Sequence, residues 1–230
     1  MRTALKKSLL VLAVSGVVAS PVANATNGYF MHGVSTKEKG LAGAGAAYSQ
    51  DAMASATNPA GMAFVGERMD VGLAMFSPSD RGFTVTGTTN ANQFVNANPS
   101  AGAESFTSEN DLFFIPQFAY NWQMDADSTI GISIYGNGGM NTEYPASATA
   151  FGAGIFGAGD AGVNLEQMFF NLSMAKKNSS NSAIGVSMIF VAQRFSAQGI
   201  DGFGGFSNDG SNMSGNRHSY SKGAGFKIGY

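Results

Sequence analysis

Apolar and polar residues alternate with a period of two in one segment of the chain after another. In EQMFFNLSMA, Met168, Phe170, Leu172 and Met174 share one face, while Gln167, Asn171, Ser173 and Ala175 fall mostly on the other. STIGISIY sets Ile130, Ile132 and Ile134 against Thr129, Gly131 and Ser133. DLFFIPQFAYNWQ aligns Leu112, Phe114, Phe118, Tyr120 and Trp122, and AIGVSMIFVAQ aligns Ile184, Val186, Met188 and Phe190. RMDVGLAMF contributes Met69, Val71, Leu73 and Met75; SYSKGAGFKIGY contributes Tyr220, Ala224, Phe226, Ile228 and Tyr230. Successive side chains of a strand point to opposite faces, so this period predicts strands with one apolar side. Six such strands are readable, and the fold class is all-β.

A soluble sandwich also alternates, so the chemistry of the faces has to decide between the two. A Lys or Arg facing lipid costs roughly 2 to 4 kcal/mol at the bilayer midplane and little near the interfaces. The apolar faces carry no charge in mid-strand: Arg194 and Lys222 have the apolar parity but lie close to strand ends. Arg68, Asp70 and Lys227 fall on the opposite parity, which is otherwise mostly Gly, Ser, Ala, Asn and Gln. The connections alternate long and short, the short ones being the polar DADS and KKNSSNS, the long ones such as residues 77–110 rich in Asn, Gly, Ser and Thr. That asymmetry is the habit of outer-membrane barrels. A transmembrane antiparallel β-barrel is therefore predicted, with Tyr120 and Trp122 in an aromatic girdle near a short turn. Six strands would leave two unpaired edges in lipid, so residues 67–230 are expected to be the first six strands, with long outer loops, of a larger barrel.

Composition narrows the function. Arg2, Lys6 and Lys7, an apolar run to about Val18, and ANA ending at Ala25 form a secretory signal over residues 1–25. The chain has no Cys, so an exported fold here does not rest on disulfides. A net charge of -2, with only 12% charged residues, argues against a nucleic-acid partner. His32 and His218 are the only histidines and have no ligand spacing, so no metal site is expected. No G-x-S-x-G elbow occurs, and the G-x-G-x-x-G at residues 152–157 lacks a strand-to-helix setting. Asp201 and Asp209 belong to a Gly- and Asn-rich loop. Neither an enzyme nor a cofactor is expected.

The segment NGYFMHGVSTKEKGLAGAGAAYSQDAMASATNPAGMAF resembles the amino-terminal plug of the FadL-type outer-membrane transporters for long-chain fatty acids and aromatic hydrocarbons. The shared features are an aromatic after Gly, the small-residue run GLAGAGAA, the pair Asp51 and Ala52, and Asn-Pro-Ala at Asn58 to Ala60. GNGGMNTEY and NLEQMFFNLSMA are also similar to the family, so the resemblance runs through almost the whole mature chain. The family's barrel is larger than six strands.

The resemblance implies that residues 26–66 fold inside the barrel as a hatch shaped by Asn58, Pro59, Ala60 and Gly61. Pro59 fixes a turn and biases Asn58 to extended backbone, though such a tetrapeptide is also an ordinary turn former. It implies, too, that the strand kinks inward at Asn137, Gly138 and Gly139 and leaves a lateral opening, where consecutive glycines also read as the start of a loop. Phe203 and Phe206 are candidates for capturing an apolar solute at the outer mouth, or for packing their loop on itself. The implied function is passive transport of hydrophobic compounds across the outer membrane, with fatty acids or aromatic hydrocarbons and outer-membrane lipid as partners, by a protein monomeric at full length. The alternative is a surface-displayed adhesin or receptor that uses the long loops. The facing assignment predicts that Arg at Leu172 impairs assembly and that Arg at Ser173 is tolerated.

Overall fold

A computed structural model describes residues 30–79, 81–86, 103–146, 148–149, 152–153, 159–213 and 217–230. The signal at residues 1–25 lies outside them, as do most of the G-x-G-x-x-G segment and the middle of the first long connection.

The amino-terminal segment forms short helical pieces: α1 (Thr36–Gly40), α2 (Ala54–Thr57), a 3-10 turn (Pro59–Gly61) and α3 (Met62–Val65). Strand β1 (Arg68–Phe76) follows, and the hairpin of β2 (Gly82–Thr86) and β3 (Ala103–Thr107) lies in the first long connection. Next come β4 (Phe113–Gln123), β5 (Ser128–Tyr144), the minimal pair β6 (Ala148–Thr149) and β7 (Gly152–Ala153), β8 (Ala161–Ser179), β9 (Ser182–Gln198) and β10 (Ser219–Gly229).

The six strands read from the alternation, β1, β4, β5, β8, β9 and β10, form one antiparallel sheet in that order. The sheet is open, and among the described residues β1 and β10 are its edges. Its register stacks like on like. One row of paired residues runs Met69, Tyr120, Ile132, Leu172, Met188, Phe226, and the adjacent row begins Asp70, Ala119, Ser133, Asn171.

The faces are inverted relative to a soluble sandwich. Val71 is 72% exposed and Phe226 80%, whereas Asn121, Thr129, Ser133 and Asn171 are fully buried. An exposed apolar face spanning six strands far exceeds what a water-soluble monomer carries, and it is the surface expected against lipid. Tyr120 and Trp122 lie on it with ring centroids 4.4 Å apart, beside the short β4–β5 turn. Residues 30–66 cover the polar face over Asn121, Ser133, Asn171 and Ser173, whereas Gly223 and Gly225 of β10 stay open.

Three expectations change. YGNGGMN does not open a loop, because β5 runs through it to Tyr144. The turn in KKNSSNS shrinks to Ser180 and Asn181, since Ser179 already pairs with Ser182. Ser173 is not open to a lumen: it is 2% exposed, and its hydroxyl meets that of Ser187 at 2.6 Å beneath the amino-terminal segment. Arg has no room there.

Candidate functional site

The amino-terminal segment is organised around one carboxylate. Glu38 Oε2 accepts from the backbone N–H of Val34 (2.8 Å) and Ser35 (3.4 Å), while Ser35 Oγ accepts from Glu38 N (3.1 Å). This is a capping box for α1. Oε1 accepts from Thr57 Oγ1 at 2.6 Å, which ties α1 to α2, and the backbone of Gly45 passes so close that a Cβ there would lie 2.6 Å from Glu38 Cγ. The small-residue run GLAGAGAA thus lets the chain wrap the buried carboxylate.

The segment is fastened to the wall at both sides of the sheet. Asp70 on β1, held by Arg68 at 2.5 Å, accepts from the N–H of Ala52 at 2.8 Å. On the other side, Lys227 Nζ donates to the Ala56 carbonyl, and Ser187 Oγ donates to that of Ser55 at 3.4 Å. Asn58 caps the 3-10 turn, its Oδ1 accepting from Ala60 N at 3.1 Å, and its Nδ2 donates to the carbonyls of Ala46 (2.8 Å) and Tyr230 (3.1 Å). Pro59 and Ala60 lie directly on backbone. A Cβ on Gly185 would sit 2.4 Å from Ala60 N and Pro59 C, and one on Gly229 would sit 2.9 Å from Pro59 Cδ. The Asn-Pro-Ala-Gly stretch is a turn seated against two strands, more than an isolated surface turn.

The amide of Asn121, close to Met62, and the hydroxyl of Thr129 are buried with no hydrogen-bond partner among the described residues. A buried unsatisfied polar group costs about 1 to 3 kcal/mol.

At the other end of the sheet the wall is broken. Gly136 pairs with Met168 and Gly139 with Glu166, so Asn137 and Gly138 together face the single residue Gln167. This is a β-bulge. Gly138 has φ +86°, a left-handed conformation that favours Gly, and Asn137 Oδ1 accepts from Met31 N at 3.2 Å. The neighbouring strand parts from β5 at the same level. Pairing of β4 with β5 ends at Gln117 and Tyr135, although β4 continues to Phe113 on its β1 side. The next residue of β4 is Pro116, which has no N–H for a ladder bond.

A cavity of about 1350 Å³ occupies this break, and residues of both faces line it. Phe114, Phe118 and Met168 come from the apolar face; Gln117, Tyr135 and Gln167 come from the covered one. Tyr135 stacks on Phe169 at 5.4 Å, and Phe30 meets Phe169 edge-on at 6.3 Å. Two ion pairs stand among the lining residues or beside them: Arg81 with Asp111 at 3.6 Å, and Arg194 with Glu166, bidentate at 2.6 and 2.9 Å.

Of the residues singled out in the sequence, Asn137, Gly138 and Gly139 line the cavity. Asn58 to Gly61 lie apart from it, near the short-turn end. Phe203 and Phe206 sit in a 3-10 helix (Ile200–Phe206) between β9 and β10; Phe206 is 76% exposed, and neither lines the cavity. Sequence reasoning missed Pro116, Asp70, Gly185 and Gly229. A Pro inside an alternating segment is a legible sign of interrupted pairing, whereas nothing local distinguishes Gly185 from the other small residues of its face.

The model of the family described as outer membrane protein transport protein (OMPP1/FadL/TodX) matches residues 16–229. Among solved structures, the crystal structure of a Pseudomonas aeruginosa FadL homologue is similar to the chain at 15% identity and a TM-score of 0.49, over 87% of this chain and 47% of that one. The chain thus spans about half the length of that protein. No curated protein matches the sequence.

Proposed function

The chain belongs to the outer membrane protein transport protein family (OMPP1/FadL/TodX), and from that premise we propose that it carries hydrophobic compounds, long-chain fatty acids or aromatic hydrocarbons, passively across the outer membrane. Residues 1–25 direct export. Residues 26–66 act as a hatch, with Asn58, Pro59, Ala60 and Gly61 holding it on the wall. The solute enters the lumen from outside, passes the hatch, and leaves sideways into the membrane through the opening at Asn137, Gly138 and Gly139. The protein works as a monomer and performs no chemistry.

The observation that carries this reading is the cavity lined from both faces of the wall, at the level where β4 and β5 part. An apolar molecule in that break exchanges aromatic walls for lipid without crossing a polar barrier, so the hydrophobic effect opposes neither step. The hatch reading is supported by the fastening of the segment to β1 through Asp70 and to β9 and β10 through Ser187 and Lys227. The test is uptake of labelled oleate and toluene by cells in which this protein is the added route. Uptake above the empty-vector control supports transport. Binding of cells to a surface without uptake of either solute would replace it with display through the long loops.

A further inference from the structure

The break in the wall is closed again further along β5. Pairing of β4 with β5 ends at Gln117 and Tyr135, yet β5 is taken up once more at Glu143 by the segment that leads from β3 into β4. Glu109 N donates to the Glu143 carbonyl at 2.8 Å, Glu143 N donates to Ser108 Oγ at 2.9 Å, and Asn110 Nδ2 donates to Asn141 Oδ1 at 2.5 Å. Ser108 is buried and held from behind: its N–H donates to the Arg81 carbonyl at 3.0 Å, and Arg81 Nη1 donates to its carbonyl at 2.9 Å. Phe83 stacks on Phe106 at 5.3 Å and meets Tyr144 edge-on at 5.4 Å, which seats the β2–β3 hairpin against the end of β5. Glu143 turns both its N–H and its C=O toward this strap, so by the alternation of an antiparallel ladder Gly139 and Asn141 turn theirs the same way, where no β4 residue pairs with them. The result is a slot with two closed ends, about 20 Å long at ~3.3 Å per residue. Its two edges, Leu112 to Pro116 and Gly136 to Thr142, both line the cavity. Because β4 and β5 are inner strands of the sheet, the slot does not depend on either sheet edge.

We propose that the strap of Ser108, Glu109 and Asn110 fixes the far end of the lateral opening and thereby selects solutes by their cross-section. A slot tied at both ends admits a molecule that is slim in at least one direction, such as an extended acyl chain or a single flat ring, and stops one that is bulky in all three. A bulky solute crosses only while the strap is released, so each net hydrogen bond removed from the strap raises the released population about fivefold. The proposal rests on the transport reading and adds which residues set its selectivity.

The test compares uptake of labelled toluene with that of labelled triphenylmethane, which is bulky in every direction, by cells that express the protein. The triphenylmethane-to-toluene ratio should rise about fivefold in Ser108→Ala and in Asn110→Ala. It should stay unchanged in Ser105→Ala, which removes only the exposed hydroxyl contact to Thr84. A merely structural role would lower both solutes together and leave the ratio alone; that result, with toluene still taken up, overturns the proposal. Hydrogen exchange on the membrane-assembled protein gives a readout that needs no transport. The amides of Gly139 and Asn141 should exchange faster than that of Ile132, and the Glu143 amide should be slow and become fast in Ser108→Ala. Slow exchange at Gly139 and Asn141 means that the strands pair there, and an unchanged Glu143 means that the strap does not hold β5; either overturns the slot. Absence of toluene uptake by the unaltered protein would remove the transport reading, while the exchange pattern would still decide the slot and its strap.

Discussion

Replacing Gly185 by Ala adds one methyl group at the point where the amino-terminal segment rests on β9. The added Cβ would lie 2.4 Å from both Ala60 N and Pro59 C. Ordinary contact begins near 3.4 Å, so the turn must retreat by roughly 1 Å, and neither backbone atom can swing aside as a side-chain tip would. Overpacking of this kind costs about 1 to 3 kcal/mol. The nearby fastenings, Ser187 to Ser55 and Lys227 to Ala56, are strained together with it. Gly225→Ala is the matched control, because its Cβ would meet nothing within 4 Å. The assays are hydrogen exchange over residues 52–64, permeability to a small polar dye, and the assembled fraction in the outer membrane. Gly185→Ala should assemble, exchange faster in that window and leak dye; Gly225→Ala should match the unaltered protein. If the two variants behave alike, residues 58–61 do not hold the segment on the wall.

Leu172→Arg, on the exposed apolar face, should lower the assembled fraction at a cost of roughly 2 to 4 kcal/mol near the midplane. Ser173→Arg should fail as well, because its site is buried, and normal heat-modifiable mobility of either variant would contradict the facing or the covering. Gly138→Val places a β-branched residue at φ +86°, a strain of about 1 to 3 kcal/mol. It should regularise the bulge and reduce oleate or toluene uptake without a dye leak; unchanged uptake would detach the bulge from the exit. In the β4–β5 turn, Asp125 Oδ1 accepts from Asp127 N (2.8 Å) and Ser128 N (2.7 Å), which hold its carboxyl below the usual carboxylate range. A depressed folded value contributes stability above the ordinary pKa and loses it as pH falls through the folded one. The difference in melting temperature between the unaltered protein and Asp125→Ala should therefore shrink on acidification below roughly pH 4, and a constant difference would refute the assignment.

The alternation alone located the six sheet strands and decided which way each faces, though not how far β5, β8 and β9 extend. Met69, Ile132, Leu172 and Phe226 turn to one side and Asp70, Ser133 and Asn171 to the other because facing is a local property, set by the two-residue repeat of the strand and by each side chain's preference for lipid or for the covered face. The Gly-rich stretch after Tyr135 and the Asn-Pro-Ala turn were legible as places where something happens. What happens there was not, because it depends on partners far away in the chain. The bulge exists only in the pairing of β5 with β8, and the break exists only because Pro116 comes level with Gly136 in the β4–β5 register. Ser173 reads as a lumen residue until the amino-terminal segment covers it, and Gly185 and Gly229 read as strand fillers until Pro59 rests on them. Each of these is a steric relation between backbones more than a hundred residues apart or on different strands, and a close approach of that kind leaves no periodic trace in the sequence beyond the small residue that permits it.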